Sequence, residues 1–273
     1  MLLLANLFFA SLLIAGQVPV EDDLPIFDAH LHYNREAWGL YSVEEVLSLL
    51  DQAGVPKAFV SSTPDEGTLM LYDRAPERIV PSLRPYRTPI DQATFAQDPS
   101  IVGYVQERLA ERRYRGIGEF HLLPGDASQP APLAFAALGG GGGLVLHVHA
   151  NAVALREFLD LRTDDSVLWA HAGMSESPAT VQRILDSYPN VSVELALRYD
   201  VAPGGRLDPT WAALFQRYPD RFMIGTDTWI PSQWSRLPAL MADVRAWLRQ
   251  LPLEVATAIA YANAERLLAP ATQ

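Results

Sequence analysis

The segment IFDAHLHY at residues 26–33 places one carboxylate and two imidazoles at alternate positions: Asp28, His30 and His32. If the segment is a β-strand, alternate side chains lie on one face, so these three groups point together. Neutral imidazole is the commonest side-chain ligand of transition metals. The spacing therefore favours a metal site, and the alternative is a pair of core histidines hydrogen-bonded to Asp28.

The other histidines show the same placement. Each lies at the carboxyl end of a short apolar run: His121, His147, His149 and His171. Two carboxylates, Glu119 and Asp227, lie at the ends of such runs as well. Histidines scattered over a surface would not show this regularity. Imidazole nitrogens together with carboxylate oxygens are the donors that ions such as zinc or manganese take. We therefore predict one or two divalent ions, zinc before manganese, at a mouth formed by these strand ends.

Short apolar runs alternate with helix-period segments from residue 26 onward. The predicted strands cover residues 26–32, 58–62, 79–83, 116–121, 144–149, 167–171, 191–195 and 222–226. The predicted helices cover residues 42–53, 101–113, 152–161, 178–188, 209–218, 239–249 and 254–268. This alternation requires parallel strands with right-handed crossovers, and eight repeats favour a closed α/β barrel of the TIM (β/α)8 type. Active sites of such barrels lie at the carboxyl ends of the strands.

Two irregular stretches interrupt the alternation, and a run of glycines precedes the fifth predicted strand. Residues 63–73 and 84–99 are rich in Pro, Asp and Thr, and we predict long irregular loops there. The segment STPDEGT, residues 62–68, is expected either to cap the site or to form a turn. Residues 139–143 are consecutive glycines, for which we predict a flexible loop at the opposite rim.

The composition excludes several classes of protein and site. Lys and Arg total 21 against 32 Asp and Glu, and a net charge of -11 argues against nucleic-acid binding. The chain has no cysteine, so disulfides, iron–sulfur clusters and thiolate zinc sites are excluded. A hydrophobic fraction of 49% is that of an ordinary globular protein, and we predict a single barrel domain over residues 24–270.

The first sixteen residues form an apolar run that suits the core of a signal peptide and is short for a membrane span. We predict that residues 1–17 direct export to the periplasm or the extracellular space. The run lacks the preceding Lys or Arg that such peptides normally carry. The alternatives are therefore an uncleaved anchor, in which residues 1–16 tether the chain to a membrane, and a misassigned start that leaves it in the cytoplasm.

Several short motifs occur in order at the predicted strand ends. They are DAHLH at residues 28–32, GIGE at 116–119, WAHAG at 169–173, GTD at 225–227 and the terminal YANAERLL at 261–268. Together with the histidine-bearing fifth strand, they resemble the amidohydrolase superfamily. The resemblance is to its amidohydrolase-related branch of metal-dependent hydrolases and decarboxylases, and it extends from about residue 24 to residue 268.

The resemblance implies a ligand set. In that family the metal is surrounded by paired histidines of strand one, one histidine each from strands five and six, and the aspartate of strand eight. In this sequence these positions imply His30, His32, His171 and Asp227, with the histidine of strand five to be chosen. For strand five we prefer His149, because an alanine and a short polar residue follow it. His147 lies on the same face of that strand and is the alternative ligand, or else it contacts a ligand or the substrate.

Three further side chains near the predicted metal site each allow two interpretations of their role. The resemblance implies that Glu119 on strand four bridges two metal ions, and the alternative is a buried carboxylate that accepts a hydrogen bond from a ligating histidine. We expect Asp28 to accept such a hydrogen bond rather than to bind metal. We expect His121 to contact the substrate or a ligand.

The predicted activity is hydrolysis of an amide, lactone or ester bond by metal-activated water, with Asp227 as the general acid and base. Three arginines follow predicted strand ends: Arg84, Arg87 and Arg198. Because guanidinium groups bind carboxylate or phosphate in a bidentate manner, they favour a small anionic substrate. Salt bridges to the many acidic side chains are the alternative for each of them.

Two rival functions remain open from sequence. The same ligand set serves a metal-dependent decarboxylase, which cleaves a carbon–carbon bond. A metal- or solute-binding barrel without catalysis is the other, and it gives no use to a general base beside an open metal position. The sequence also leaves open whether the chain is a monomer or a homodimer.

Overall fold

The structure, a computed structural model, describes residues 24–161 and 166–269, apart from the side chains of residues 140–142. Within that part, parallel strands form one sheet in the order β1 to β8. The strands are β1 (Phe27–Leu31), β2 (Lys57–Val60), β3 (Ile79–Leu83), β4 (Gly116–Leu122), β5 (Val145–Ala150), β6 (Val167–Trp169), β7 (Val191–Glu194) and β8 (Phe222–Met223). A parallel bridge between Leu31 and Thr228 brings the two edges together, so the sheet nearly closes into the predicted (β/α)8 barrel. The predicted signal peptide or membrane tether at residues 1–17 lies outside the described residues.

Helices follow the strands, as parallel pairing requires. They are α1 (Arg35–Trp38), α2 (Val43–Gln52), α3 (Glu66–Arg74), α4 (Asp91–Thr94), α5 (Pro99–Glu111), α6 (Pro130–Gly142), α7 (Ala152–Leu159), α8 (Pro178–Ser187), α9 (Pro209–Arg217), α10 (Pro231–Trp234), α11 (Leu237–Leu248), α12 (Leu253–Thr257) and α13 (Asn263–Leu268). Helix α2 begins with the expected capping box, since Ser42 and Glu45 satisfy each other's backbone N–H groups. Across the described part of the chain, no helix is long and apolar enough to cross a membrane.

The three predicted loops are wrong in part because each contains a helix. Residues 63–73 hold most of α3, which begins inside the STPDEGT segment, and residues 84–99 hold α4. The glycine run is not a loop, since α6 continues through it as far as Gly142. The alanine-rich start of α6 is strongly helix-forming, and an established helix propagates through poorer residues. It ends at Gly143, whose φ of 64° is the left-handed conformation that favours glycine.

The predicted last helix at residues 254–268 is one continuous segment with a local defect. A π-helical turn at Ala258–Ala262 separates α12 from α13. Asn263, which follows the turn, donates through its side-chain amide to the carbonyl oxygens of Pro219 and Phe222. This contact fixes the terminal helix against the start of β8.

Two close backbone approaches shape the mouth of the barrel. A Cβ on Gly118, where φ is 121°, would lie 2.2 Å from the carbonyl oxygen of His147. A Cβ on Gly225 would lie 2.2 Å from Oε2 of Glu194 and 2.9 Å from Cβ of His30. Only glycine fits these places, so the GIGE and GTD motifs bring β4 and β8 close to their neighbours.

The core has two parts. The larger hydrophobic cluster joins the strands to the surrounding helices and includes Phe120, Trp169 and Trp211. The smaller cluster joins strand residues such as Phe27 and Met223 to Leu268 of the terminal helix. The site therefore lies on a rigid, closely packed scaffold.

Candidate metal centre

His30 and His32 present the same ring nitrogen to one point. Their Nε2 atoms lie 2.9 Å apart, and both side chains are buried. Nδ1 of His30 donates to Oε1 of Glu194 at 3.0 Å, and Nδ1 of His32 donates to the carbonyl oxygen of Ser61. These acceptors fix the protons on Nδ1, so in the neutral rings the Nε2 lone pairs face each other.

Two carboxylates complete this group. Oδ1 of Asp227 lies 3.1 Å from Nε2 of His32 and 3.5 Å from Nε2 of His30. Oε2 of Glu119 lies 3.5 Å from both nitrogens. One potential ligand atom from each of His30, His32, Glu119 and Asp227 lies within 4.8 Å of every other. Two imidazole nitrogens and two carboxylate oxygens are a suitable set for a divalent ion.

The other carboxylate oxygen of Glu119 faces a second pair of histidines. Oε1 lies 2.8 Å from Nδ1 of His149 and 3.3 Å from Nε2 of His171. Nδ1 of His171 donates to the carbonyl oxygen of Ala196, which leaves its Nε2 as the lone-pair nitrogen. The two oxygens of Glu119 therefore belong to two neighbouring groups of ligand atoms.

The backbone at His171 and Asp227 is unusual. Both residues have positive φ angles, 56° and 48°, although neither is glycine. Such conformations cost about 1–3 kcal/mol and persist where the surrounding structure enforces them. The WAHAG and GTD motifs thus turn sharply just beyond β6 and β8, which aims both side chains at the mouth.

The charges of the group support one another. Burial opposes ionisation of Glu119 and of Asp227, but nearby imidazoles outweigh it and lower the pKa of both carboxyl groups. Burial likewise opposes a charge on His30, but Glu119, Asp227 and Glu194 outweigh it and raise the pKa of its imidazole. The site therefore favours positive charge between the Nε2 atoms, which a divalent cation provides.

Glu194, at the end of β7, is the functional side chain that the sequence analysis missed. It is fully buried, and its carboxylate accepts hydrogen bonds from Nδ1 of His30, from the backbone N–H of His171 at 2.6 Å and from that of Ala196 at 2.7 Å. It thereby orients one histidine from each group. Its place at the carboxyl end of an apolar run, in VSVEL, is the signal that could have identified it.

Asp28 lies close to the site without joining a group of potential ligands, whereas one ring nitrogen of His147 lies within 4.8 Å of a ligand atom of His30 and of Glu194. The register of β1 against β2 shifts between Asp28 and Leu31, and the carboxylate of Asp28 accepts from the hydroxyl and the N–H of Thr226. Burial raises the pKa of Asp28 to about 7. Both ring nitrogens of His147 are buried, and neither has a hydrogen-bond partner among residues 24–161 and 166–269. Its ring packs edge-on against that of His30, with centroids 4.4 Å apart.

One ring nitrogen of His121 lies within 4.8 Å of a ligand atom of Glu119 and of His149, so His121 borders the second group. Its ring stacks on that of His149, with centroids 4.2 Å apart, and Nδ1 lies 3.0 Å from the hydroxyl of Tyr86. Burial lowers the pKa of His121 to about 3, so its imidazole is neutral. If the Tyr86 hydroxyl donates to Nδ1, the ring carries its proton on Nε2, 3.8 Å from Oε1 of Glu119.

Of the three predicted arginines, Arg84 lies at the site. Its Nη2 donates to Oε2 of Glu119 at 2.8 Å, and its guanidinium lies over the ring of Tyr86. Its Nε is buried and has no partner among the residues that the structure describes. Arg84 therefore brings a positive charge and an unused donor to the mouth of the barrel.

The contacts of Arg87 and Arg198 are structural. Arg87 binds Asp91, Asp98 and the hydroxyl of Ser100. The guanidinium of Arg198 donates to Asp200 and to the carbonyl oxygens of His171, Ala172 and Glu176. Their predicted role as substrate ligands stays a prediction, which these contacts do not favour.

A comparison with protein families identifies the class of barrel. A family model described as Amidohydrolase matches residues 96–269, which is more than half of the chain. The chain belongs to the amidohydrolase family. The match includes Glu119, His149, His171 and Asp227, and the resemblance inferred from the short motifs is confirmed. A search of curated proteins finds no significant match to this chain.

Solved structures resemble this chain in fold. A protein of Acinetobacter baumannii described as a probable 2-pyrone-4,6-dicarboxylic acid hydrolase, with citric acid bound, has a TM-score of 0.60 at 14% identity, covering 89% of this chain and 98% of its own. A TatD homologue of Escherichia coli K12 has a TM-score of 0.59 at 15% identity, with coverages of 90% and 98%. N-isopropylammelide isopropylaminohydrolase of Burkholderia multivorans has a TM-score of 0.57 at 16% identity, with coverages of 93% and 76%. At these identities the likeness shows the shared fold alone.

Proposed function

We propose that this protein is a metal-dependent hydrolase that cleaves a lactone, ester or amide bond in a small anionic substrate. The observation that carries the proposal is the convergence of the Nε2 atoms of His30 and His32, 2.9 Å apart, on the carboxylate of Asp227. Without a cation or a proton between them, two imidazole lone pairs at that distance repel each other. The residues present therefore fit a divalent ion, and zinc suits their donor set best.

We propose two ion positions. His30, His32 and Asp227 would hold one ion, and His149 and His171 would hold the other. Glu119 would contribute one oxygen to each, because Oε2 faces the first group and Oε1 the second. A divalent ion held there supplies Lewis acidity, which activates water and polarises the carbonyl group of the substrate.

Asp227 is the proposed general base and acid. Its lowered pKa keeps the carboxyl group ionised at neutral pH, and its side chain is 11% exposed, so water can reach it. It would accept a proton from the attacking water and return that proton to the leaving group. Oδ2 lies 3.9 Å from Nε2 of His171, so this carboxylate lies between the two groups of ligands.

Arg84 supports an anionic substrate. Its Nε is a buried donor without a partner among the described residues, which a substrate carboxylate would satisfy with a charge-assisted hydrogen bond. His121 lies on the same side, beyond Tyr86, and offers a neutral imidazole. The description of the Acinetobacter baumannii protein names a dicarboxylic acid as its substrate, and that protein contains bound citric acid, which agrees with an anionic substrate here.

The experiment is a product assay on protein stripped with a chelator and reloaded with Zn²⁺ or Mn²⁺. The substrates are lactones, esters and amides, each with and without a carboxylate, together with 2-hydroxybenzoate. We expect hydrolysis of a substrate that bears a carboxylate. This hydrolysis should stop when the metal is removed and in Asp227→Asn. It should continue in the control Asp220→Asn, whose side chain is exposed. We expect Arg84→Gln to raise KM more for substrates with a carboxylate than for those without one, since Arg84 also donates to Glu119.

Two results would contradict the proposal. Hydrolysis that persists after complete metal removal would refute metal dependence. Release of carbon dioxide without a hydrolytic product would make the protein a decarboxylase, the alternative that the sequence left open.

A further inference from the structure

An open cleft lies beside the carboxyl ends of β7 and β8, and its lining includes none of the metal-centre side chains. It runs between helix α11 and the connection that follows β7, and its volume is about 890 Å³. Its walls are mostly apolar and include Leu195, Ile224, Leu240, Val244 and Trp247. Clefts of this size and character accommodate small organic molecules.

The lining of the cleft includes polar side chains near the start of α11. Two of them are Gln233 and Arg236. Oε1 of Gln233 accepts from the N–H groups of Trp229 and Ile230, so its NH2 group remains as a donor. The side chain of Arg236 is exposed and makes no hydrogen bond or ion pair with another residue in the described ranges. Two donors, one of them cationic, thus lie together where an anion could bind.

The charges along α11 give the cleft a direction. Asp243 also lines it, seven residues beyond Arg236, which is roughly 10 Å along the helix axis. The other cation of the lining, Arg198, is paired with Asp200, so an anionic group is attracted to Arg236 and repelled by Asp243. The apolar wall made by Leu240, Val244 and Trp247 extends away from Arg236, so it would face the apolar body of a ligand bound in that direction.

We propose that this cleft binds a small amphipathic carboxylate, with its carboxylate at Gln233 and Arg236 and its apolar body along α11. The cleft is separate from the metal centre, because none of the metal-ligand side chains lines it. It nevertheless includes Thr226 and Thr228, the neighbours of Asp227 in the chain. The proposal concerns binding and does not depend on the proposed hydrolysis.

The test is calorimetric titration of the full-length protein with decanoate. We expect a single site, and we expect Ala239→Trp, which fills the cleft, to abolish binding. Ala242→Trp is the matched control, since Ala242 is exposed on the same helix without lining the cleft. Arg236→Gln should weaken binding about threefold to fivefold, as expected for an exposed charge, while Arg113→Gln, an exposed arginine elsewhere, should not.

Further measurements distinguish binding in this cleft from binding at the metal centre, and a small-molecule ligand from another occupant of the cleft. Decanoate should bind Asp227→Asn and Arg84→Gln as it binds wild type. Loss of binding in Arg84→Gln but not in Ala239→Trp would place the carboxylate at the barrel mouth and overturn the proposal. Absence of binding to wild type would also overturn it. So would sedimentation showing that Ala239→Trp converts a dimer into a monomer, because the occupant would then be a second copy of the chain.

Discussion

Replacing Glu194 by glutamine tests how the proposed metal ligands are held. Three donors converge on its two buried oxygens: Nδ1 of His30 and the N–H of His171 on Oε1, and the N–H of Ala196 on Oε2. Burial opposes the charge of Glu194, but His30 and His171 outweigh it and lower its pKa, so the carboxylate is ionised at neutral pH. Glutamine keeps the shape of the side chain and offers one oxygen instead of two.

The expected cost follows from these contacts. If the amide oxygen takes the place of Oε1, its NH2 group faces the N–H of Ala196, and a buried donor left unsatisfied costs about 1–3 kcal/mol. The two bonds to the remaining oxygen lose their charge assistance, which adds about 1 kcal/mol each. We expect Glu194→Gln to lower the free energy of unfolding by about 3–5 kcal/mol, or roughly 6–20 °C in melting temperature.

Metal affinity should fall as well. A carboxylate that accepts from the far nitrogen of a ligating histidine typically contributes about 10–100-fold to metal affinity. Calorimetric melting of the metal-free protein and zinc titration against a competing chelator measure the two effects separately. Glu107→Gln, an exposed glutamate on α5, is the matched control. If Glu194→Gln matches this control in both assays, Glu194 does not orient the ligands.

Two further predictions concern stability and ligand choice. Asp65 is fully buried and accepts hydrogen bonds from one guanidinium and two phenols. Asp65→Asn should therefore lower the free energy of unfolding by about 3–5 kcal/mol. An unchanged denaturation midpoint would show that the ion pair between Asp65 and the guanidinium is not needed for stability. His149→Leu should lower the bound metal measured by elemental analysis. His147→Leu should leave the amount of bound metal unchanged. It should lower the free energy of unfolding by less than about 1 kcal/mol, because the substitution removes two buried nitrogens that have no hydrogen-bond partner in the described chain. The opposite pattern would make His147 the ligand.

The sequence predicted the barrel well because its signals are local. Alternating apolar runs and helix-period segments gave every strand of the observed sheet, and the Ser42 capping box gave the start of α2. Helices α3 and α6 were missed because their sequences contain proline or glycine. Tertiary contacts such as those of Asp65 support α3, and the alanine-rich start of α6 lets that helix extend into the glycine run.

The site was predictable to the extent that it depends on strand ends. His30 and Asp227 could be placed together because parallel strands bring their carboxyl ends to one rim. Asp28 was assigned to the same face from a period of two, which the register shift in β1 breaks. The contacts of Arg198 could not be foreseen, because its partners are backbone carbonyl oxygens that only the folded loops bring near.

The most direct test of the account is the number of zinc ions bound per chain by wild type and by Glu119→Gln, measured by elemental analysis after saturation and removal of excess metal. Because the two oxygens of Glu119 face separate pairs of histidines, we predict two ions per wild-type chain and one per variant chain. The same single ion in both proteins, or no ion in wild type, would contradict the paired metal centre on which the proposed function depends.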